Sequence, residues 1–274
     1  MKLIKIILLG LTFGLFANAQ AQTVNPMPKV NNDWRFSGTA SAWIPASWTT
    51  TSVGNLSGTA DTSISDNLNS AGAVGMFTLE AHKGNWGVMG DIVYWQLAGG
   101  GSTTFGKKNA IVPDRNKTLY VGGNAQQTQT MLTMAGTYTA YNTPGLYLDG
   151  LLGARYISST TTIQATGQYS VNGTTKLDTS INPSYTNQTT DPVIGFKGRA
   201  RIANTSWFIP FYADAGKGPG SNNTTWQTLI GVGDAFSWGD ITLAYRAMGF
   251  DLKSSYSVTK YTNAGPQLSA TINF

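Results

Sequence analysis

Charged residues that alternate with apolar ones are where this chain could do chemistry. The basic ones are Arg35, Arg155, Lys197, Arg199, Arg201 and Arg246; the acidic ones are Glu80, Asp91, Asp149 and Asp214. Each sits in a run whose neighbouring positions are apolar, so each points away from a greasy face. Two uses fit such a set. Opposite charges would pair across a narrow space and fill it, with Arg holding a carboxylate through two bonds. Alternatively, unpaired basic groups would ring a constriction and favour small anions weakly. Catalytic readings are poorer. There is one histidine, His82, and no cysteine. A nucleophile-and-base site needs the histidine beside a nucleophile, and nothing near His82 in sequence offers one. A metal site would want a His or Cys cluster. The expectation is therefore no enzyme, no metal and no cofactor.

The elements that must position these charges are strands. Ten runs alternate apolar and polar residues: 34–44, 73–82, 86–97, 127–141, 146–158, 192–203, 207–215, 224–235, 240–250 and 264–274. In the last, Leu268, Ala270, Ile272 and Phe274 share one face and Gln267, Ser269, Thr271 and Asn273 the other. Their lengths suit the roughly 9–11 residues of a tilted bilayer-crossing strand. Tight-turn signals (Lys83-Gly84-Asn85, Asn142-Thr143-Pro144-Gly145, Asn204-Thr205-Ser206 and Ser237-Trp238-Gly239) alternate with longer polar stretches. This predicts an all-β fold. It is a single transmembrane antiparallel β-barrel of about ten strands, with short periplasmic turns and long extracellular loops. Trp34, Trp86, Trp207, Trp238 and Phe274 would form an aromatic belt at the short-turn interface. Trp43, Trp95, Trp226 and Phe250 are expected in the opposite belt.

The long stretches carry three further signals. Ser65 or Asp66 would cap a short helix bearing Ile64 and Leu68, either folded back over the pore or left as a polar turn. Asn172-Gly173 predicts a projecting hairpin too polar to face lipid. Lys107, Lys108, Arg115 and Lys117 would meet lipid phosphates or simply lie in solvent.

The amino terminus reads as a secretory leader. Lys2 and Lys5 precede an apolar stretch from Leu3 to Phe16 that is too short for a membrane helix, and small residues follow it. The expected organisation is a signal peptide over 1–21, a periplasmic segment over 22–32 and a barrel over 33–274. The formal net charge of +5 includes the two leader lysines, so nothing argues for nucleic acid. Charged residues make up 11% of the chain, against roughly 25% in an ordinary soluble domain.

The residues also resemble an uncharacterised family of bacterial outer-membrane β-barrel proteins. The matching pieces are Asp91-Ile92-Val93-Tyr94-Trp95-Gln96-Leu97, Gly153-Ala154-Arg155-Tyr156 after Asp149, and Asp191-Pro192-Val193-Ile194-Gly195. Thr225-Trp226-Gln227, Ala244-Tyr245-Arg246 and the stretch from Gly265-Pro266 to Phe274 complete the set. Gly216-Lys217-Gly218-Pro219-Gly220 and Asp234-Ala235 depart from it. The resemblance implies the cell outer membrane, contact with its lipid, and recognition of the closing strand by the barrel-assembly machinery. It implies no chemistry and no oligomeric state. Two functions are expected from the residues: a narrow passive channel for small polar solutes, or a closed barrel whose outer loops bind surface lipid or a partner.

Overall fold

The computed structural model describes residues 24–53, 56–69, 74–108, 116–182, 184–218, 223–253 and 257–274. The expected leader, 1–21, lies outside them. Among the described residues there are thirteen strands and one short helix. The strands are β1 (Trp34–Trp43), β2 (Ala46–Val53), β3 (Leu56–Thr62), β4 (Val74–Lys83), β5 (Trp86–Lys108), β6 (Asn116–Asn142) and β7 (Leu146–Val171). They continue with β8 (Thr174–Ile181), β9 (Ser184–Arg201), β10 (Trp207–Lys217), β11 (Thr224–Phe236), β12 (Gly239–Lys253) and β13 (Ser257–Asn273). The helix, α1, is Ile64–Asn69.

Ten strands form the wall, in the order β1-β4-β5-β6-β7-β9-β10-β11-β12-β13, and β1 pairs back onto β13. Closure satisfies both edges, which a sheet needs if it is to stand in hydrocarbon. The exterior is apolar: Trp86, Val88, Met134, Leu152, Ile194, Ile230 and Leu243 all point outward and stay exposed. Polar and charged residues fill the inside, with Gln129, Thr133, Asp149, Arg155 and Asp191 fully buried. That inversion of an ordinary globular protein is the surface a bilayer selects.

The short turns gather at one end. Gly84 takes the left-handed conformation between Lys83 and Trp86. Thr143 closes its turn by exchanging hydrogen bonds with Leu146. The opposite end differs from the sequence expectation. Much of what reads as long loop is strand: β5 and β6 pair continuously out to Lys108 and Asn116, and β7 runs on to Val171. Ladder bonds between polar strands need no apolar alternation, so the pattern that marks the membrane stretch stops while the strand continues. The side chains of Lys107, Lys108 and Lys117, and all of Arg115, lie outside the described residues. The Asn172-Gly173 hairpin is present, with both residues at positive φ, and joins β7 to β8.

β1 and β2 are one path along β13 interrupted at Ile44-Pro45. β13 pairs with β1 through Gln267–Asn273 and with β2 through Ser257–Ala264. Pro45 has no N–H to give the ladder. The chain compensates with Ile44 N–H bonded to Pro266 O at 3.1 Å and Trp43 Nε1–H bonded to Gly265 O at 3.2 Å.

The helix is capped two to three residues earlier than expected. Ser63, not Ser65 or Asp66, is the cap: Asp66 N–H donates to Ser63 Oγ, and Ser63 N–H and hydroxyl donate to the Asp66 carboxylate. This is a reciprocal capping box. The helix lies beside β2, with Ala46 and Trp48 across a cleft from residues 61–66.

Candidate functional site: a layered barrel lumen

Strand register stacks the lumen into three layers. At the short-turn mouth sits the chain's own segment before β1. Met27 is buried against Tyr147, Phe208 and Ala235, with Val24 and Val30 packed beside them. Arg199 holds this segment through Pro26 O at 3.1 Å, bonds Asp240 at 3.1 Å, and lies 4.3 Å over the Phe208 ring. The segment over 22–32 is thus folded into the barrel end from Val24 onward. Asp149 is also in this layer, satisfied by Thr139 at 2.7 Å and Tyr147 at 2.9 Å rather than by a cation.

Above the mouth, Lys197 bonds Glu80, and Glu80 also meets His82 Nε2 at 3.2 Å. Next comes a polar crossbar. Thr78 donates to Asp91 at 2.7 Å, and Arg246 reaches Asp91 at 3.4 Å and Gln227 at 2.5 Å. Gln227 donates to Asp214 at 2.7 Å, which also accepts from Tyr212 and Arg155. Arg155 ends the bar with Nε on Thr133 at 3.1 Å and Nη1 on Thr225 at 3.0 Å. The bar therefore ties β4, β5, β12, β11, β10, β7 and β6 across the interior. Alternation places these side chains inward; their mutual reach is set by how the wall closes.

Of the charges read from sequence, Glu80, Asp91, Arg155, Lys197, Arg199, Asp214 and Arg246 meet a partner of opposite sign. Arg201 stands apart, its Nε donating to Thr205 O in the adjoining turn. Asp240, Asp191 and Gln227 are not among the lumen groups expected from the sequence, although Asp191 and Gln227 lie in runs that carry the family resemblance. Asp240 stands beside a tight turn, which hid it. Gln227 carries no charge to flag it. Asp191 lies directly across the ladder from Arg155 and is wholly buried, with Thr189 donating to it at 2.8 Å.

Above the crossbar the lumen turns greasy. Trp43, Met76, Val93, Trp95, Met131, Ile157, Met248, Phe250 and Tyr261 form one buried cluster. Trp43 and Trp95 meet edge to face at 6.1 Å, and Phe250 stacks on Tyr261 at 4.7 Å. This corrects the expected outer belt. Trp43, Trp95 and Phe250 point inward, and of that set Trp226 alone faces out. The reason is parity: Trp34 and Trp86 face lipid, so Trp43 and Trp95, nine residues on, must face the lumen. At the other interface Trp34, Trp86, Trp207, Trp238 and Phe274 are all exposed. Phe36 stacks between Trp34 and Phe274.

A cavity of about 710 Å³ lies in the short-turn half, between the crossbar and the amino-terminal segment. Arg35, Glu80, His82, Lys197, Arg199 and Tyr212 are among its lining.

No protein-family model and no curated protein matches the sequence. Solved structures do. The outer membrane protease OmpT from Escherichia coli matches at 10% identity and TM-score 0.49, covering 92% of this chain and 100% of that one. Ail, the attachment invasion locus protein of Yersinia pestis, matches at 10% identity and TM-score 0.32, covering 88% and 99%. These are bacterial outer-membrane barrels. At such identities and scores neither lends this chain an activity, and the architecture rests on the strand ladder itself.

Proposed function

We propose that the protein is a non-conducting outer-membrane barrel whose work is done by the sheet projecting from its long-loop end. The observation that carries this is the apolar layer of Trp43, Trp95, Met131, Met248, Phe250 and Tyr261 seated directly above a charge-paired crossbar. An ion path needs water and accessible charge; here a packed apolar cluster fills the outer half of the lumen, and Arg155, Arg199 and Arg246 already hold carboxylates. The projecting strands support a binding role. Every residue of β8 is exposed, and Thr186, Asn187 and Gln188 continue the same polar surface on β9. Such a surface recognises a polar partner, whether lipid head group or macromolecule, through hydrogen bonds. The reading is non-enzymatic.

Single-channel recording in a planar bilayer tests it. Insertion is scored separately by a protease-protected barrel band. Silence with insertion supports the closed barrel. Reproducible conductance steps overturn it and restore a narrow channel, whose anion preference would then report on the basic lumen groups.

A further inference from the structure

We propose that the cavity at the short-turn end is a binding site for a small organic oxyanion, a carboxylate or phosphate on a compact body, anchored by Arg35. Three observations converge. The first is charge. Lys197, Arg199 and Arg246 around this cavity are each paired with a carboxylate, namely Glu80, Asp240 and Asp91. Arg35 and Lys29 also line it, and neither has such a partner among the described residues. Against these two cations stands Asp149 in the same layer, bonded to the Thr139 and Tyr147 hydroxyls and to no cation, so one positive charge is left over at this end.

The second is an unmet bonding capacity. Arg35 Nε and Nη2 are buried and have no hydrogen-bond partner. Buried donors of a charged group are rarely left so, because the desolvation is uncompensated. A guanidinium presents those donors as a planar fork that matches two oxygens of a carboxylate or phosphate. The lumen neighbour across the ladder, His82, meets Glu80 through Nε2, and its buried Nδ1 is left without a partner as well.

The third is shape. About 710 Å³ falls in the range of small-ligand sites. Met27, Met89 and Phe208 give the cavity apolar walls for the body of a ligand whose charged end meets Arg35. The segment held by Arg199 at Pro26 covers the cavity, and Lys29 stands exposed on it as a second cation. A closed wall surrounds the cavity on its sides, so entry is from the barrel end. That selects a soluble anion over a lipid head group in the leaflet.

The test is calorimetric titration of the full, folded barrel in detergent with inorganic phosphate, acetate, benzoate and neutral benzamide. The expected result is saturable one-site binding of benzoate, weaker binding of acetate and phosphate, and none of benzamide. Arg35→Gln should weaken benzoate by more than about tenfold, as loss of a bidentate charged pair does. Arg35→Lys should retain part of the affinity, and Lys217→Gln at the exposed outer end of β10 should change nothing. Folding is checked by heat-modifiable gel migration. If the Gln variant fails that check, the Lys variant and the anion-induced shift of the wild-type Arg35 Nε–H resonance decide the matter. Absence of saturable anion binding, benzamide binding as well as benzoate, or benzoate affinity unmoved by the Arg35 changes overturns the proposal.

Discussion

Arg155 spends its three nitrogens on three different strands, and none of them reaches water. Removing it leaves Asp214 buried with its cation gone. Arg155→Ala should therefore cost about 3–5 kcal/mol, the usual loss when one member of a buried pair is deleted. Arg155→Lys keeps the charge but cannot serve Thr133, Thr225 and Asp214 together, so its loss should fall between wild type and Ala. The double change Arg155→Met with Asp214→Leu should cost less than Arg155→Ala alone, because no lone charge remains. Urea unfolding in lipid vesicles, followed by tryptophan fluorescence, ranks the three. A double variant less stable than the single one would contradict this account of the crossbar.

Among the elements, the break between β1 and β2 is the most constrained. A Cβ on Gly265 would stand 2.1 Å from Ile44 O and 2.8 Å from the Pro45 Cα, both backbone atoms that cannot swing aside. Gly265→Ala should then lower the yield of heat-modifiable, folded barrel, while Ala264→Gly, one position away, should not. The helix α1 offers a gentler test. Bonds from the Ser63 hydroxyl and N–H hold the Asp66 carboxyl below its ordinary pKa of 3.8. A lowered folded value means that the cap's contribution is present above 3.8 and is lost as the pH falls through the lowered value. Amide exchange in α1 should quicken over that acid range and leave the wall strands protected. Exchange in α1 independent of pH after correction for intrinsic rates would sink the cap. These elements also show where sequence reading reached and where it stopped. The wall strands were legible because lipid on one side and polar filling on the other enforce a period of two. The inward side of Arg155 and Arg246 came with that period. Strand continuation past the membrane was not legible, since Thr- and Gly-rich ladders in water obey no such constraint. Partner choice was not legible either: Arg246 and Asp91 are 155 residues apart, and only the closed wall brings them face to face.

The described wall is a greasy sleeve around a polar and then an apolar filling. Leu152 stands 67% exposed on the outer wall, well inside the apolar band. Leu152→Arg should cost about 2–4 kcal/mol at bilayer mid-depth. The same change should cost far less in detergent, where the head can reach water. Unfolding measured in both media gives the comparison, and equal losses would argue against a membrane-facing wall. The seam that completes this sleeve has a consequence in time. Its partners Ser37 and Asn273 come from opposite ends of the chain, so the wall cannot close until nearly all of it has been made. Until then β1 and β13 are bare edges on an apolar ribbon, the form most prone to pair with a stranger. For this protein the dangerous interval is before the last strand arrives, and its finished stability offers no protection during it.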